Sequence, residues 1–404
     1  MEGGVMIRLC LSIFLVFASF FALSAKGDST AVVHSVSLGL RPAVVTQHHG
    51  FYRGENAVGR PVAGALSTHL QYAFSFPASS AFGKMFPTSY QGVGVACYTF
   101  FNHSAIGSPA AVYVFQGARI AQLTETLSLD YEWNFGVSSF WKPNIAVGTK
   151  VNAYINAGLM LSWRPLPEWN FSAGVDFTHF SNGDTTLPNV GVNTFGVRLT
   201  ASRLFGNGLM LSPDKPFRNR LTEKSFLKRT SLDVILCGAW YEELVTYKSK
   251  DYKLDGKFGV LALHVNPLYK LTHYLSVGPS VDIQFNEGIN LSDHVAGVNP
   301  VTDMIRFHRP PLSEQLGIGL SARVELHAPI FSINFGVGHN VIYKGTELSG
   351  LYYILALKSF VYENLFIHTG LKICNSTSSN NLLLGLGWRF GNRDGKIARV
   401  AMGF

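Results

Sequence analysis

Residues 171–198 read FSAGVDFTHFSNGDTTLPNVGVNTFGVR, and the alternation within them decides the fold. Successive side chains of a β-strand point to opposite faces. A strand over 171–180 therefore puts Val175, Phe177, His179 and Ser181 on one side, and Gly174, Asp176, Thr178 and Phe180 on the other. A turn-rich loop follows over 182–192. A strand returning from Asn193 then sets Phe195, Val197, Leu199 and Ala201 against Arg198, Thr200 and Ser202. The spacing predicts a hairpin with one apolar face. If that face meets lipid, His179 and Ser181 stand at its edge, where an imidazole and a hydroxyl cost solvation free energy unless they serve a function.

The same period of two runs through most of the chain. Residues 123–135 set Leu127, Leu129, Tyr131, Trp133 and Phe135 against Ser128, Asp130, Glu132 and Asn134. Residues 151–163, 275–285, 316–327 and 331–340 repeat the pattern. Each has about the length that carries a tilted strand across a bilayer, roughly 9–11 residues. The polar faces are Ser, Thr, Asn and Gly with sparse charge, whereas a soluble β-sandwich charges its outer face. Trp133, Trp163, Trp240 and Trp388 stand on the apolar faces as interfacial aromatics do. The predicted fold is all-β, an antiparallel transmembrane outer-membrane β-barrel. It closes on about 12–14 strands, and closure satisfies every backbone donor in lipid.

Composition agrees. Of 404 residues 47% are hydrophobic and 14% charged, with 40 Gly and 30 Phe. So little charge sits well below soluble proteins. The net charge of +8 points to an anionic partner such as a phosphorylated lipid, or to ordinary surface variation. At the N-terminus Arg8 precedes an apolar run over 9–23, and Ala22, Ser24 and Ala25 follow the pattern of a cleavage site. Residues 1–25 read as a cleaved signal peptide, leaving 26–404 as a single barrel domain in the outer membrane of a Gram-negative bacterium. No other stretch reaches the ~18 apolar residues of a membrane-spanning helix.

At the other end, Leu382, Leu384, Leu386, Trp388 and Phe390 alternate with Leu383, Gly385, Gly387 and Arg389, and the chain ends on Phe404. That resembles the terminal signal by which the barrel assembly machinery recognises its clients. The basic segment 213–229 breaks the pattern and reads as a solvated loop at the barrel end opposite His179.

Cys97, Cys237 and Cys374 give neither a disulfide framework nor metal-ligand spacing, and read as buried small apolar residues. No metal or cofactor is expected. His48 and His49 read as polar surface, and Asp130 and Glu132 as lumen-lining charge rather than a catalytic carboxylate pair. Nothing in the sequence resembles a phosphate loop or a nucleic-acid signature.

The chemistry concentrates at the hairpin. His179 and Ser181 lie about 7 Å apart along one strand face. A serine nucleophile needs a base, a group that orients the base, and donors for an oxyanion. Asn193 opens the partner strand with the parity to approach His179, and the loop after Ser181 offers donors. From spacing alone the catalytic signal is weak, and a polar rim where strands leave the membrane is the favoured reading.

The run His179-Phe180-Ser181-Asn182-Gly183, with Pro188-Asn189 and Gly191-Val192-Asn193, resembles the active-site segment of the PagL-type lipid A deacylases, outer-membrane acyloxyacyl hydrolases. The resemblance implies a β-barrel esterase that removes an ester-linked acyl chain from lipid A of lipopolysaccharide, with its site facing the outer leaflet. It implies Ser181 as nucleophile, His179 as general base and Asn189 in the oxyanion hole, to which the amides around Asn182 and Gly183 can add. Asn193 falls where family members carry a Glu that orients the histidine. Either Asn serves there, or Asp184 supplies a carboxylate, or the protein is slow or inactive. The chain is also much longer than a family barrel. The rival readings are a non-catalytic porin or transport barrel, and a structural or adhesion barrel.

Overall fold

The computed structural model describes residues 32–76, 83, 85–205, 226–299, 302–345, 347–374 and 381–391. Within them the alternation becomes two closed antiparallel barrels. The first is formed by β1 (Val33–Val45), β2 (Gly64–Ser75), β3 (Tyr90–Thr99), β4 (Gly107–Gln122), β5 (Leu127–Trp141), β6 (Asn152–Leu166), β7 (Trp169–Ser181) and β8 (Val192–Phe205). Neighbours in sequence pair in order, and β8 pairs back onto β1 from His34↔Phe205 to Val45↔Thr194.

The second barrel begins at β9 (Thr230–Tyr241), and a small hairpin, β10 (Leu244–Tyr247) and β11 (Lys250–Lys253), follows outside the barrel wall. The wall continues with β12 (Phe258–Lys270) and β13 (Leu275–Asn286). A second hairpin, β14 (Val295–Val298) and β15 (Ile305–Phe307), intervenes. The wall is completed by β16 (Leu316–His327), β17 (Phe331–Ile342), β18 (Leu351–Tyr362), β19 (Leu365–Cys374) and β20 (Asn381–Gly391), with β20 pairing back onto β9.

The all-β antiparallel barrel class is as expected, but the expectation of one barrel of about 12–14 strands spanning 26–404 is corrected. The chain closes twice, each time on eight strands. Among the described residues the two compact units are 32–182 with 188–205, and 183–187 with 226–391. The physical reason is that period-two alternation is a local signal. It tells each strand which face to bury, and it is silent on which distant strand supplies the last ladder of hydrogen bonds.

One boundary also moves. Leu123 and Thr124 donate their amides to Leu127 O at 2.9 and 3.0 Å, so a tight turn precedes β5 and the strand does not begin at residue 123. The signal peptide, the terminal segment with Phe404 and residues 213–225 of the basic segment lie outside the described residues. Leu227–Arg229 form a turn of 3-10 helix before β9.

Each barrel is inside-out relative to a soluble protein. The first turns Leu38, Leu161, Val175, Phe177, Phe195 and Val197 outward, and the second turns out Leu236, Leu261, Leu320, Val337, Leu355 and Leu386. Their lumens hold the charge. In the first, Arg41 Nη1 donates to Asp176 at 3.0 Å, and Arg198 Nη2 donates to Glu132 at 2.7 Å. In the second, Arg323 pairs with Asp282 at 2.6 Å, and Lys358 and Arg389 bridge Asp233 and Glu325. Opposite charges in equal number make such a quartet tolerable out of water. Eight strands enclose just enough width for side chains to fill the interior, and these do. Cys97, Cys237 and Cys374 are all free thiols.

Candidate active site

The site is built by parity around one buried ring. Phe180 is fully buried in the first barrel, 4.9 Å from the Trp141 ring, 5.2 Å from Tyr98 and 5.4 Å from Tyr154, centroid to centroid. An aromatic anchored inward obliges its two chain neighbours to face outward. His179 and Ser181 are accordingly half-buried on the outer face, in line with exposed Val175 and Phe177.

Register supplies the histidine's partner. His179 lies directly across from Asn193 on β8, as Phe177 lies across from Phe195 and Val175 from Val197. His179 Nδ1 meets Asn193 Oδ1 at 2.6 Å. An amide oxygen only accepts, so the ring proton sits on Nδ1 and Nε2 keeps the lone pair that a general base uses.

The serine's partner comes from the loop. Asn189 Nδ2 donates to Ser181 Oγ at 2.8 Å, and the Asn182 backbone N–H donates to Asn189 Oδ1 at 3.2 Å. The Asn182 amide thus turns the Asn189 carboxamide so that its NH2 group faces the hydroxyl. Gly183 and Asp184 both adopt left-handed backbone, at φ 64° and 61°. The partner on His179 Nδ1 is Asn193.

Sequence reasoning missed the residues that hold this loop in place. Val190 N donates to Ile145 O at 3.2 Å and Gly191 N to Ala146 O at 2.8 Å, so the 142–150 loop braces the return to β8. Tyr52, fully buried on the one-turn helix Gly50–Arg53, donates its hydroxyl to Gly191 O. Burial pushes that phenol above its ordinary pKa, so it stays a donor. Thr46 N donates to Asn193 O at 2.9 Å. Gly191 sits at φ 77°, and a Cβ there would come within 3.1 Å of His179 Cε1. The left-handed backbone therefore favours glycine at this position, and the imidazole would have to give by a few tenths of an ångström to admit a side chain.

His48 and His49, expected to be plain polar surface, do more. His49 Nδ1 caps the short helix by accepting from Phe51 N at 3.1 Å, and the His48 ring packs 5.0 Å from Tyr52. Their adjacency to Gly50 was the available signal, a polar cap before a turn. Asp176 and Glu132 are buried lumen carboxylates paired with arginines, as their strand parity required.

Comparison with known proteins follows the same division of the chain. The family described as lipid A 3-O-deacylase (PagL) matches residues 87–202, which contain the whole His179–Asn193 hairpin. The family described as acyloxyacyl hydrolase, C-terminal domain, matches residues 230–393, the span of the second barrel. Among solved structures, the outer-membrane enzyme PagL is similar at 13% identity and a TM-score of 0.28, covering 41% of this chain and 97% of that one. Neisserial surface protein A follows at 10% identity and 0.27, covering 44% and 98%. The siderophore receptor PirA from Pseudomonas aeruginosa is at 9% and 0.25, covering 90% and 81%. At these scores the likeness carries no weight for the chemistry. Curated protein sequences gave no match. Fold and matched families together define the class, an outer-membrane β-barrel hydrolase. The chain belongs to the PagL-type acyloxyacyl hydrolase family of lipid A deacylases.

Proposed function

We propose that the first barrel is a serine esterase that cleaves an ester-linked acyl chain from lipid A in the outer leaflet. The observation that carries this is the pairing of two hydrogen bonds on one lipid-facing strand edge. His179 is oriented by Asn193 at 2.6 Å, and Ser181 is contacted by Asn189 at 2.8 Å, immediately beyond exposed Phe177.

In this reading His179 Nε2 removes the Ser181 proton as Oγ attacks the acyl carbonyl. Asn189 Nδ2, with loop amides near Asn182 and Gly183, receives the charge that develops on the carbonyl oxygen. The imidazolium returns its proton to the departing sugar oxygen, and water then releases the fatty acid from Ser181 by the reverse sequence. A lipid-facing site suits a substrate whose acyl chains are already in the membrane. Asn193 fixes the tautomer through Oδ1 but adds no negative charge, so imidazolium formation gains less than from a carboxylate. The packed lumen supports this reading over an open pore.

The test is mass spectrometry of lipid A from cells expressing the wild-type chain or Ser181→Ala. Loss of one acyl mass with the wild type alone supports the esterase. Unchanged lipid A in both, with the protein folded in the outer membrane, overturns it.

A further inference from the structure

The second barrel holds a cluster that the esterase does not use. Cys237 on β9, His264 on β12 and His368 on β19 all point into its lumen and are each at most 3% exposed. Their ligand atoms, one sulfur and two ring nitrogens, lie within 4.8 Å of one another. The register explains how such distant positions meet. Ala262, two residues before His264, pairs with Cys237, and Gly385 on β20 pairs with both Cys237 and His368.

Two features set this trio apart from packed filler. First, His264 Nδ1 and Asp282 Oδ1 lie 2.8 Å apart, and a buried carboxylate paired with Arg323 accepts there, which leaves the lone pair on Nε2. That Nε2 is buried without a hydrogen-bond partner, and so are both ring nitrogens of His368. Buried imidazole nitrogens left unpaired cost free energy, and one from each histidine converging with a thiol requires an explanation. Second, the chain makes room for the ring. A Cβ on Gly370 would stand 2.6 Å from His368 Nε2.

From this geometry we infer a metal site in the lumen of the second barrel, with Cys237 Sγ, His264 Nε2 and one His368 nitrogen as ligands for a thiophilic cation, zinc or monovalent copper. The donor set selects the ion. One thiolate and two imidazoles suit borderline and soft cations, whereas magnesium and calcium require oxygen ligands. Carboxylate support behind a ligating histidine is a common device for fixing its tautomer and ring orientation. Binding releases the Cys237 proton, which the thiol otherwise directs to Ala262 O at 3.7 Å. The bound ion would tie β9, β12 and β19 together from inside. The inference is independent of the esterase reading.

The experiment uses the untagged full chain folded in detergent with Zn2+ or Cu+, then desalted and assayed for metal per chain. The expected result is about one tightly held ion of either kind, falling to background in His368→Gln. A Co2+-loaded sample gives a thiolate-to-cobalt charge-transfer absorption, which Cys237→Ser abolishes. Because the cobalt spectrum is read on the wild-type protein, it does not depend on any variant folding. Wild-type protein that retains neither ion overturns the site. A cobalt spectrum without the thiolate band removes Cys237 from it, and with it the proposed donor set.

Discussion

The two barrels solve the same problem with the same parts and then set His179 in one, and His264 with His368 in the other, on opposite sides of the wall. In both, a closed ring of eight strands turns an apolar face outward and seals its lumen with paired charges. In the first, His179 shares the parity of Phe177 and ends up on the outer surface beside Ser181 and Asn193. In the second, His264 and His368 share the parity of the lumen residues and end up buried beside Cys237. One step along a strand thus decides whether an imidazole faces out of the barrel or into its interior. What the comparison teaches is that composition assigns neither role. Strand parity does, and the residue directly opposite refines it.

The comparison breaks most readily at Ser181. Ser181→Ala should lower deacylation by at least ~10³-fold, measured as lipid A conversion, while leaving barrel folding untouched. If folding rather than turnover is lost, the outer face is structural in the first barrel too. A smaller effect, in the other barrel, is expected from Lys358→Met. It leaves Asp233 and Glu325 facing each other with Arg389 alone, and should destabilise the second barrel by about 3–5 kcal/mol, read from the denaturant midpoint of the heat-modifiable gel band. The same variant should leave the per-molecule rate of the folded fraction unchanged.

Asn189→Ala should cost about 10²–10³-fold in turnover, the usual penalty for removing one oxyanion donor, with little change in stability. A change confined to stability would make Asn189 a loop staple only. The smallest expected effect is a gain. Asn193→Glu exchanges a neutral for a charge-assisted hydrogen bond at His179, a difference of about 1 kcal/mol, so initial rates of conversion should rise roughly 5-fold. No gain would mean that proton transfer to His179 does not limit turnover.

Much of this was legible before any coordinates. Alternation located β7 and β8 to within two residues and assigned Phe177, His179 and Ser181 to one face and Asp176 to the other. It also gave Asn193 the parity to approach His179, and the ladder pairs the two directly. What stayed hidden depends on long-range closure. Nothing local at Ala43 announces Gly196 as its partner, and that ladder is what ends the first barrel. For the same reason Tyr52 could not be foreseen under Gly191, 139 positions away. Cys237 is buried as the sequence reading has it, and the cluster around it is not legible because its two companions lie on other strands. Metal-ligand spacing is a signature of ligands that share a turn or a helix, and a barrel lumen brings ligands together without it.

Under the proposed function, the outward placement of Ser181 has a kinetic consequence. A reactive group on a wall bathed by acyl chains meets its substrate by lateral diffusion in two dimensions. What governs its rate is the mole fraction of substrate in the leaflet, and the amount per litre of suspension drops out. Diluting the membrane with inert lipid at constant total substrate should therefore slow such an enzyme, and diluting it with buffer should not.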